Sequence, residues 1–460
     1  MPRFSRTLAL PLVVPLVLLL LLIACGDDDD APAPAPTPEA TEATEATEPP
    51  PATEPPATAQ PTEPPATESA GTPSPTPTAA PPTEAPPERV ALHVGLLVPE
   101  TGAVGPLAAP AIEAMKLAVE DINAAGGNVT TTIADTATNP ATGREAAARL
   151  LGEGADVIVG PATSAVTQAV IQALFDERVP QCTPSAQSPA FSTQENAAYF
   201  FRTVPPAHAV APIMARVVAE DGGTRVAIVG RADDYGTPIS GLVAQLLTEL
   251  GAEAEVVLYD PGSTTFDSQV AAVAAYGPDA IINIGFFFDG TSIVHGLIEA
   301  GFGPEIQYGG DALFHPYLWQ LVDPNDPTVL DGMKFIGVAG SDEFNTRISD
   351  VTDGNVNFAA QSYDCVVLMA LAAELAGSTD GDAIMEAIAG LTHHGTECYS
   401  YEECLTLIDA GEDIDYVGVS GPINFTPNGD PTTGSYAVFQ FQGGQITVLQ
   451  AYEVDLTQLQ

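Results

Sequence analysis

Basic residues are scarce in this 460-residue chain: 13 Lys+Arg stand against 60 Asp+Glu, a formal net charge of −47. A nucleic-acid binder needs a basic footprint to displace counterions from phosphates, so that class is excluded. Lys116 and Lys334 are the only lysines, which leaves a phosphate-binding loop almost nothing to use. The 5 cysteines are too few for a disulfide framework in a chain this long. Cys182 and Cys365 fall in apolar strand and helix contexts, where buried thiols are expected rather than nucleophiles. There is no Gly-x-Ser-x-Gly elbow, no Gly-x-Gly-x-x-Gly after the first expected strand and no phosphate loop. His393 and His394 are adjacent, so they point apart, and no third ligand is spaced nearby. No enzyme activity, cofactor or metal is therefore expected. What is present is a hydrophobic fraction of 45%, enough for a globular core, on a length that suits roughly two to four domains.

The N-terminus carries two arginines and then an almost pure aliphatic run over 8–23. That run has the length of a signal-peptide core and is short for a membrane span. It ends in Leu22-Ile23-Ala24-Cys25, which resembles a bacterial lipobox. Small Ala24 admits a peptidase, and the Cys25 thiolate accepts the lipid. The alternative is an uncleaved signal anchor with a chance cysteine. Residues 31–88 are low-complexity repeats of Pro, Thr, Glu and Ala. Such a segment cannot bury an apolar face and is expected to act as a tether. In extended polyproline II it would span up to about 180 Å at ~3.1 Å per residue.

From residue 89 onward, short apolar strands alternate with amphipathic helices. Strands are expected at 90–98, 128–135, 157–160, 181–183, 226–230, 253–259, 280–285 and 306–309. Helices are expected at 109–124, 143–151, 165–175, 211–219, 238–250, 265–275 and 291–300. This order makes an α/β fold of two doubly wound lobes, each a parallel sheet covered by helices on both faces. Ligands of such sheets lie beyond the carboxyl ends of the strands, near free helix N-termini.

Five strand ends carry chemistry-bearing residues. Ser164 follows the strand at 157–160 and either caps the next helix or receives a carboxylate. Ser185 and Gln187 lie in a polar loop after 181–183 that an ordinary turn also explains. Tyr235 follows 226–230, as a packing residue or a ligand contact. Phe286, Phe287 and Phe288 follow 280–285, as core or as pocket wall. Asp311 follows Gly309-Gly310, where a solvated acid is the plain reading and a ligand carboxylate the sharper one.

In order along about 90–450, the chain resembles the leucine/isoleucine/valine-binding family of type I periplasmic binding proteins. The carrying segments are Leu97-Val98-Pro99-Glu100-Thr101-Gly102, 119–127, Val159-Gly160-Pro161-Ala162-Thr163-Ser164, Thr183-Pro184-Ser185-Ala186, Phe201-Arg202-Thr203, Asp234-Tyr235-Gly236 and Ser420-Gly421-Pro422-Ile423-Asn424-Phe425. The resemblance implies two lobes joined by three crossovers, near 204–207, 336–339 and 430–434, that close on a small ligand. With a signal peptide at 1–24 and a lipidated tether at 25–88 already expected from the N-terminal sequence, it implies one lobe from 89–205 with 338–432, and the other from 206–337 with 433–460.

By the same resemblance, Ser164 meets an α-carboxylate, Ser185 and Gln187 continue the ligand shell, Asp311 meets an α-ammonium and Tyr235 supplies an aromatic contact. Phe286 stands where a tyrosine often lies. Leu107, expected in the loop after the first strand, stands where some members have tryptophan. The wall then includes Leu107, Phe286 and Phe287. The implied protein is an envelope lipoprotein that delivers an aliphatic or aromatic amino acid to an ABC permease by cleft closure. An amide, urea or other polar solute, a sensor role, or a structural or adhesive surface role remain as alternatives. Cys398 and Cys404 flank a five-residue segment in an exported chain, and a local disulfide is favoured.

Overall fold

The computed structural model describes residues 88–391 and 394–458. The signal run, Cys25, the tether and His393 lie outside the described residues.

The first sheet is built from β1 (Ala91–Val98), β2 (Asn128–Asp135), β3 (Val157–Val159), β4 (Gln181–Thr183) and β5 (Phe200–Arg202), joined by α1 (Gly105–Ala124), α2 (Pro140–Gly152) and α3 (Ser164–Glu177). Its strands are all parallel, in the order β2-β1-β3-β4-β5. The chain then enters a second sheet through α4 (Ala207–Glu220), β6 (Arg225–Arg231), α5 (Gly236–Glu249), β7 (Glu253–Tyr259), α6 (Asp267–Tyr276), β8 (Ala280–Ile284), α7 (Phe287–Glu299), β9 (Gln307–Gly310), α8 (Trp319–Val322) and β10 (Lys334–Val338). It returns to the first lobe as α9 (Asp342–Ser349), α10 (Ala359–Ala376), α11 (Gly381–Gly390), β11 (Thr396–Cys398), α12 (Tyr401–Asp409), β12 (Ile414–Gly418) and β13 (Gly421–Pro422). A last crossing leads to β14 (Thr433–Gln442) and β15 (Gln445–Asp455). These two add an antiparallel pair to the second sheet, whose order is β15-β14-β10-β9-β8-β6-β7. The result is two doubly wound lobes joined by three crossovers.

Several helices begin earlier than their sequence pattern suggests. The expected helices start at 109 and 211, but α1 and α4 begin four residues earlier and run through Pro110 and Pro212. Each proline sits at the sixth helical position, removes one bond from the ladder, and is tolerated because packing holds the helix on both sides. Leu107 is consequently a first-turn residue of α1 and not a loop residue. The β14–β15 hairpin and the 342–422 segment were not expected as regular elements. The hairpin turns on Gly443 and Gly444, both at positive φ (61° and 75°), as a two-residue turn between twisted strands requires.

α10 is the centre of the first lobe. It is apolar on all sides and buried along most of its length, the pattern of a helix enclosed by other elements. It packs on α1 and on Val94, Leu96 and Val157 of the sheet. At about 1.5–3 kcal/mol per fully buried aliphatic side chain, this cluster is a main source of that lobe's stability. Asp364, also on α10 and buried, accepts from Tyr416 Oη (2.8 Å), Val419 N (3.0 Å) and Ser420 N (2.8 Å). The Ser420-Gly421-Pro422 turn is thereby fixed to the core.

One expectation is overturned. Cys182 of β4 and Cys365 of α10 are not free thiols: they form a disulfide, with Cα atoms 5.7 Å apart and 183 residues between them in sequence. The packing of α10 against β4 brings their side chains within bonding distance, a proximity that apolar local context does not reveal. Cys398 and Cys404 are also joined, with Cα atoms 5.2 Å apart.

Candidate ligand-binding site

The strand ends of the two sheets face a shared cavity with an empty volume of about 680 Å³, its solvent-filled mouth included. Of the eight residues placed around the ligand from sequence, six line it: Leu107, Ser164, Ser185, Tyr235, Phe286 and Asp311. The seventh, Gln187, stands just behind, bonded to Asp311.

The floor is the loop from β3 to α3. Gly160 adopts φ 109°, and a Cβ there would lie 2.0 Å from the Leu97 carbonyl oxygen, so only glycine lets this loop cross the end of β1. The Gly160–Pro161 peptide is cis. Thr163, at the N-cap of α3, is extended and makes no side-chain cap bond. Ser164 therefore does not cap the helix. It is buried one position inside it, and its Oγ accepts from Ser188 N at 3.2 Å. The first turn of α3 thus meets the cavity without a capping side chain, at the end of a helix that favours an anion. Beside it, Ser185 Oγ donates to the Ala162 carbonyl at 2.9 Å.

Opposite, Gly309 and Gly310 carry Asp311 into the cavity. A Cβ on Gly310 would come within 3.3 Å of Tyr235 Oη, so the glycine leaves room for the close approach of that hydroxyl. Asp311 is 2% exposed. Burial raises its pKa to about 6, against the opposing pull of bonds from Gln187, its own loop amides and Tyr235. Gln187 Nε2 donates to Asp311 Oδ2 at 2.5 Å, a bond between the two lobes. A second bridge runs from Asn357 Nδ2 to the Asp311 carbonyl at 2.7 Å.

Tyr235 and Phe286 form the aromatic wall, with ring centroids 5.3 Å apart. Behind Phe286 lies Arg231, its guanidinium 3.8 Å from the ring centroid. Arg231 Nε also donates to Asp233 at 2.8 Å, and Nη1 pairs with Asp289. Phe287 was expected in the wall and is not there. It begins α7, turns into the core with Leu313 and Phe314, and meets the His315 ring at 5.0 Å.

Three contributors were not foreseen. Arg231 ends β6 and could have been found as a rare cation at a strand end. Phe358, with φ 56°, lines the cavity from the segment that precedes α10. Ala108, Ala111, Ile112 and Met115 line it from α1. Nothing in the sequence marks Phe358 or the α1 face as facing a ligand.

Known proteins of similar sequence and shape agree with this geometry. The chemotactic signal transduction system substrate-binding protein BasB of Halobacterium salinarum is 26% identical over 363 residues, spanning 74% of this chain and 85% of BasB. The Leu/Ile/Val-binding protein BraC3 of Rhizobium johnstonii is 26% identical over 374 residues, 80% of this chain and 96% of BraC3. Among solved structures, the leucine binding protein LivK of Thermotoga maritima has a TM-score of 0.67 at 22% identity, covering 78% of this chain and 98% of its own. The isoleucine complex of LivJ from Streptococcus pneumoniae scores 0.63 at 20% identity, covering 80% and 100%. A solute-binding protein of R. palustris in complex with benzoate scores 0.66 at 17% identity, covering 80% and 98%. The periplasmic binding protein family model matches residues 91–445. With the family model spanning residues 91–445, and with two lobes and a cleft between opposed strand ends, this chain belongs to the periplasmic binding protein family, as a type I solute-binding receptor.

Proposed function

We propose that the protein is a lipid-anchored receptor on the outer side of the membrane that binds a free amino acid with an aliphatic or aromatic side chain and passes it to an ABC permease. The observation that carries the reading is the division of the cavity. The uncapped first turn of α3 with Ser164 and Ser185 offers an anion site. The buried carboxylate of Asp311 offers a cation site in the same space. An α-carboxylate and an α-ammonium on one carbon satisfy both, while the remaining lining is largely apolar. The leucine- and isoleucine-related names of the relatives support the same class. The run at 8–25 supports the lipid anchor, with Cys25 as the modified residue. On this reading the lobes are 89–205 with 338–432 and 206–337 with 433–460.

A second reading is favoured by one observation, the chemotaxis-system relative: the loaded receptor signals to a sensor instead of a permease. A plain carboxylate such as benzoate suits the site less well, since it would leave Asp311 without a cation. Thermal melting of the whole chain in mild detergent, against amino acids, amides, small polyols and benzoate, tests the reading. A ligand at a hundred times its Kd stabilises by about 2.7 kcal/mol. A shift with aliphatic or aromatic amino acids is expected. Shifts only with amides or polyols would change the substrate class, and none with any compound would favour a structural or adhesive surface role.

A further inference from the structure

The cavity does not stop at the polar groups. Leu107, Ala108, Ala111, Ile112 and Met115 of α1 all line it. Their spacing repeats with the helix turn, so they share one face. From Leu107 to Met115 that face runs about 12 Å at ~1.5 Å per residue. Two of its members are alanines, and Ala111 and Ile112 are only partly buried, whereas Met115 is buried at its far end. Ala111 is thus a small, half-buried residue in the middle of this face.

Phe358 lines the same cavity, half-buried, and holds φ 56° and ψ 9°. A bulky residue in the left-handed region is a backbone outlier, and such strain persists only where the surroundings enforce it. Bonds flank it on both sides: Asn357 is bonded to the Asp311 carbonyl across the cleft, and Phe358 O accepts from Ser362 N at 3.0 Å. Glycine would take this conformation freely, so the strained phenylalanine buys nothing for the backbone. What it supplies is an aromatic side chain in the lining that the α1 residues share.

We infer that Phe358 and the α1 face at Ala108, Ala111, Ile112 and Met115 form a side-chain subsite selecting amino acids with long or aromatic side chains, phenylalanine above valine. This rests on the amino-acid reading proposed above and adds the determinant of side-chain choice. The carboxylate and ammonium are held at α3 and Asp311. A valine side chain would end near them and leave the stripe unfilled, whereas a phenyl ring would lie against Ala111 and Phe358. Met115, unbranched and adaptable, closes the end.

Calorimetric titration of the whole chain in mild detergent with L-phenylalanine, L-leucine, L-valine and benzoate tests it, beside Ala111→Leu and Phe358→Gly. Melting curves by circular dichroism establish that both variants fold. The wild type should bind phenylalanine at least about tenfold more tightly than valine, the scale that differences in hydrophobic side-chain contact reach. Each variant should weaken phenylalanine by about tenfold and change valine by less than about threefold. Valine bound as tightly as phenylalanine by the wild type, or equal weakening of both ligands in the two variants, would overturn the subsite while leaving the amino-acid reading standing. Binding of benzoate with no response to any amino acid would overturn that reading and the subsite with it.

Discussion

Gln187 and Asp311 are 124 residues apart in sequence and bonded side chain to side chain at 2.5 Å between the two lobes. Asp311 is the only carboxylate among the cavity-lining residues. Asp311→Asn should therefore weaken an amino-acid ligand by about 2–5 kcal/mol, the cost of removing one partner of a desolvated charge pair. Unchanged affinity by calorimetry would remove the ammonium assignment.

The same carboxyl gives two opposite pH dependences. Burial holds Asp311 and Asp364 each at about 6 in the folded chain. A raised folded pKa means the folded state binds the extra proton, so stability is gained as pH falls from above 6 towards the unfolded value near 4. For Asp311 that gain is on the order of 3 kcal/mol. The ligand-free protein should thus melt higher at pH 5.5 than at pH 7.5 (both about), and Asp311→Asn should reduce the difference. Ammonium binding needs the ionised form, so affinity should fall over the same range. Affinity that rises on acidification would contradict the assigned role.

Arg202 is fully buried and pairs with Asp430 at 2.7 Å. Its other donors reach Ala186 O (3.0 Å), Ser188 O (2.9 Å) and Ser192 Oγ (2.9 Å). One side chain thus holds the loop that carries Ser185 and Gln187, beside two of the crossovers. Arg202→Met should cost about 3–5 kcal/mol by leaving Asp430 buried and unpaired. Arg202→Lys keeps the charge but loses the forked geometry, and should fall between the two in urea unfolding. A lysine variant as stable as the wild type would show that the loop bonds carry no weight.

The two disulfides should differ in effect. In the chain-entropy model, closing 183 residues stabilises by about 5 kcal/mol, and closing 6 by about 2. Replacing both Cys182 and Cys365 with alanine should lower the melting temperature more than replacing Cys398 and Cys404. Equal losses would show that native contacts around each bridge, and not loop length, set its value.

Surplus negative charge should make stability salt-dependent. Residues 89–458 carry most of the acids with few bases to offset them, and self-repulsion is screened within about 3 Å at 1 M salt against about 10 Å at 0.1 M. Melting temperature should rise between these concentrations. A flat profile would mean that the acids are already balanced locally.

The alternating strands and helices of 90–310 were legible because the central parallel strands hold apolar runs buried on both faces, as at 94–98, 157–159 and 226–229. Ser164, Ser185, Tyr235 and Asp311 were legible because strand ends are where such folds bind. The cavity's α1 face was not, since Ala111 and Ile112 look like any core-facing residues of an amphipathic helix. Phe358 gave no sign, because its backbone conformation is imposed by Asn357 and α10. Cys182 and Cys365 could not be paired from sequence, since the whole second sheet up to β10 lies between them. The Gly443-Gly444 turn was readable in principle: two glycines between β-prone runs are a hairpin signal.

The return of the chain after β10 has a consequence for synthesis. The core around α1 includes Tyr363, Val367, Leu371, Tyr416 and Phe425, and β10 is covered on one edge by β14. A nascent chain that has reached residue 338 therefore owns two unfinished cores. Neither can close until the last third has been made, so a truncation there should yield no stable half-protein, and chaperones or the export machinery would meet an open chain for most of its translation.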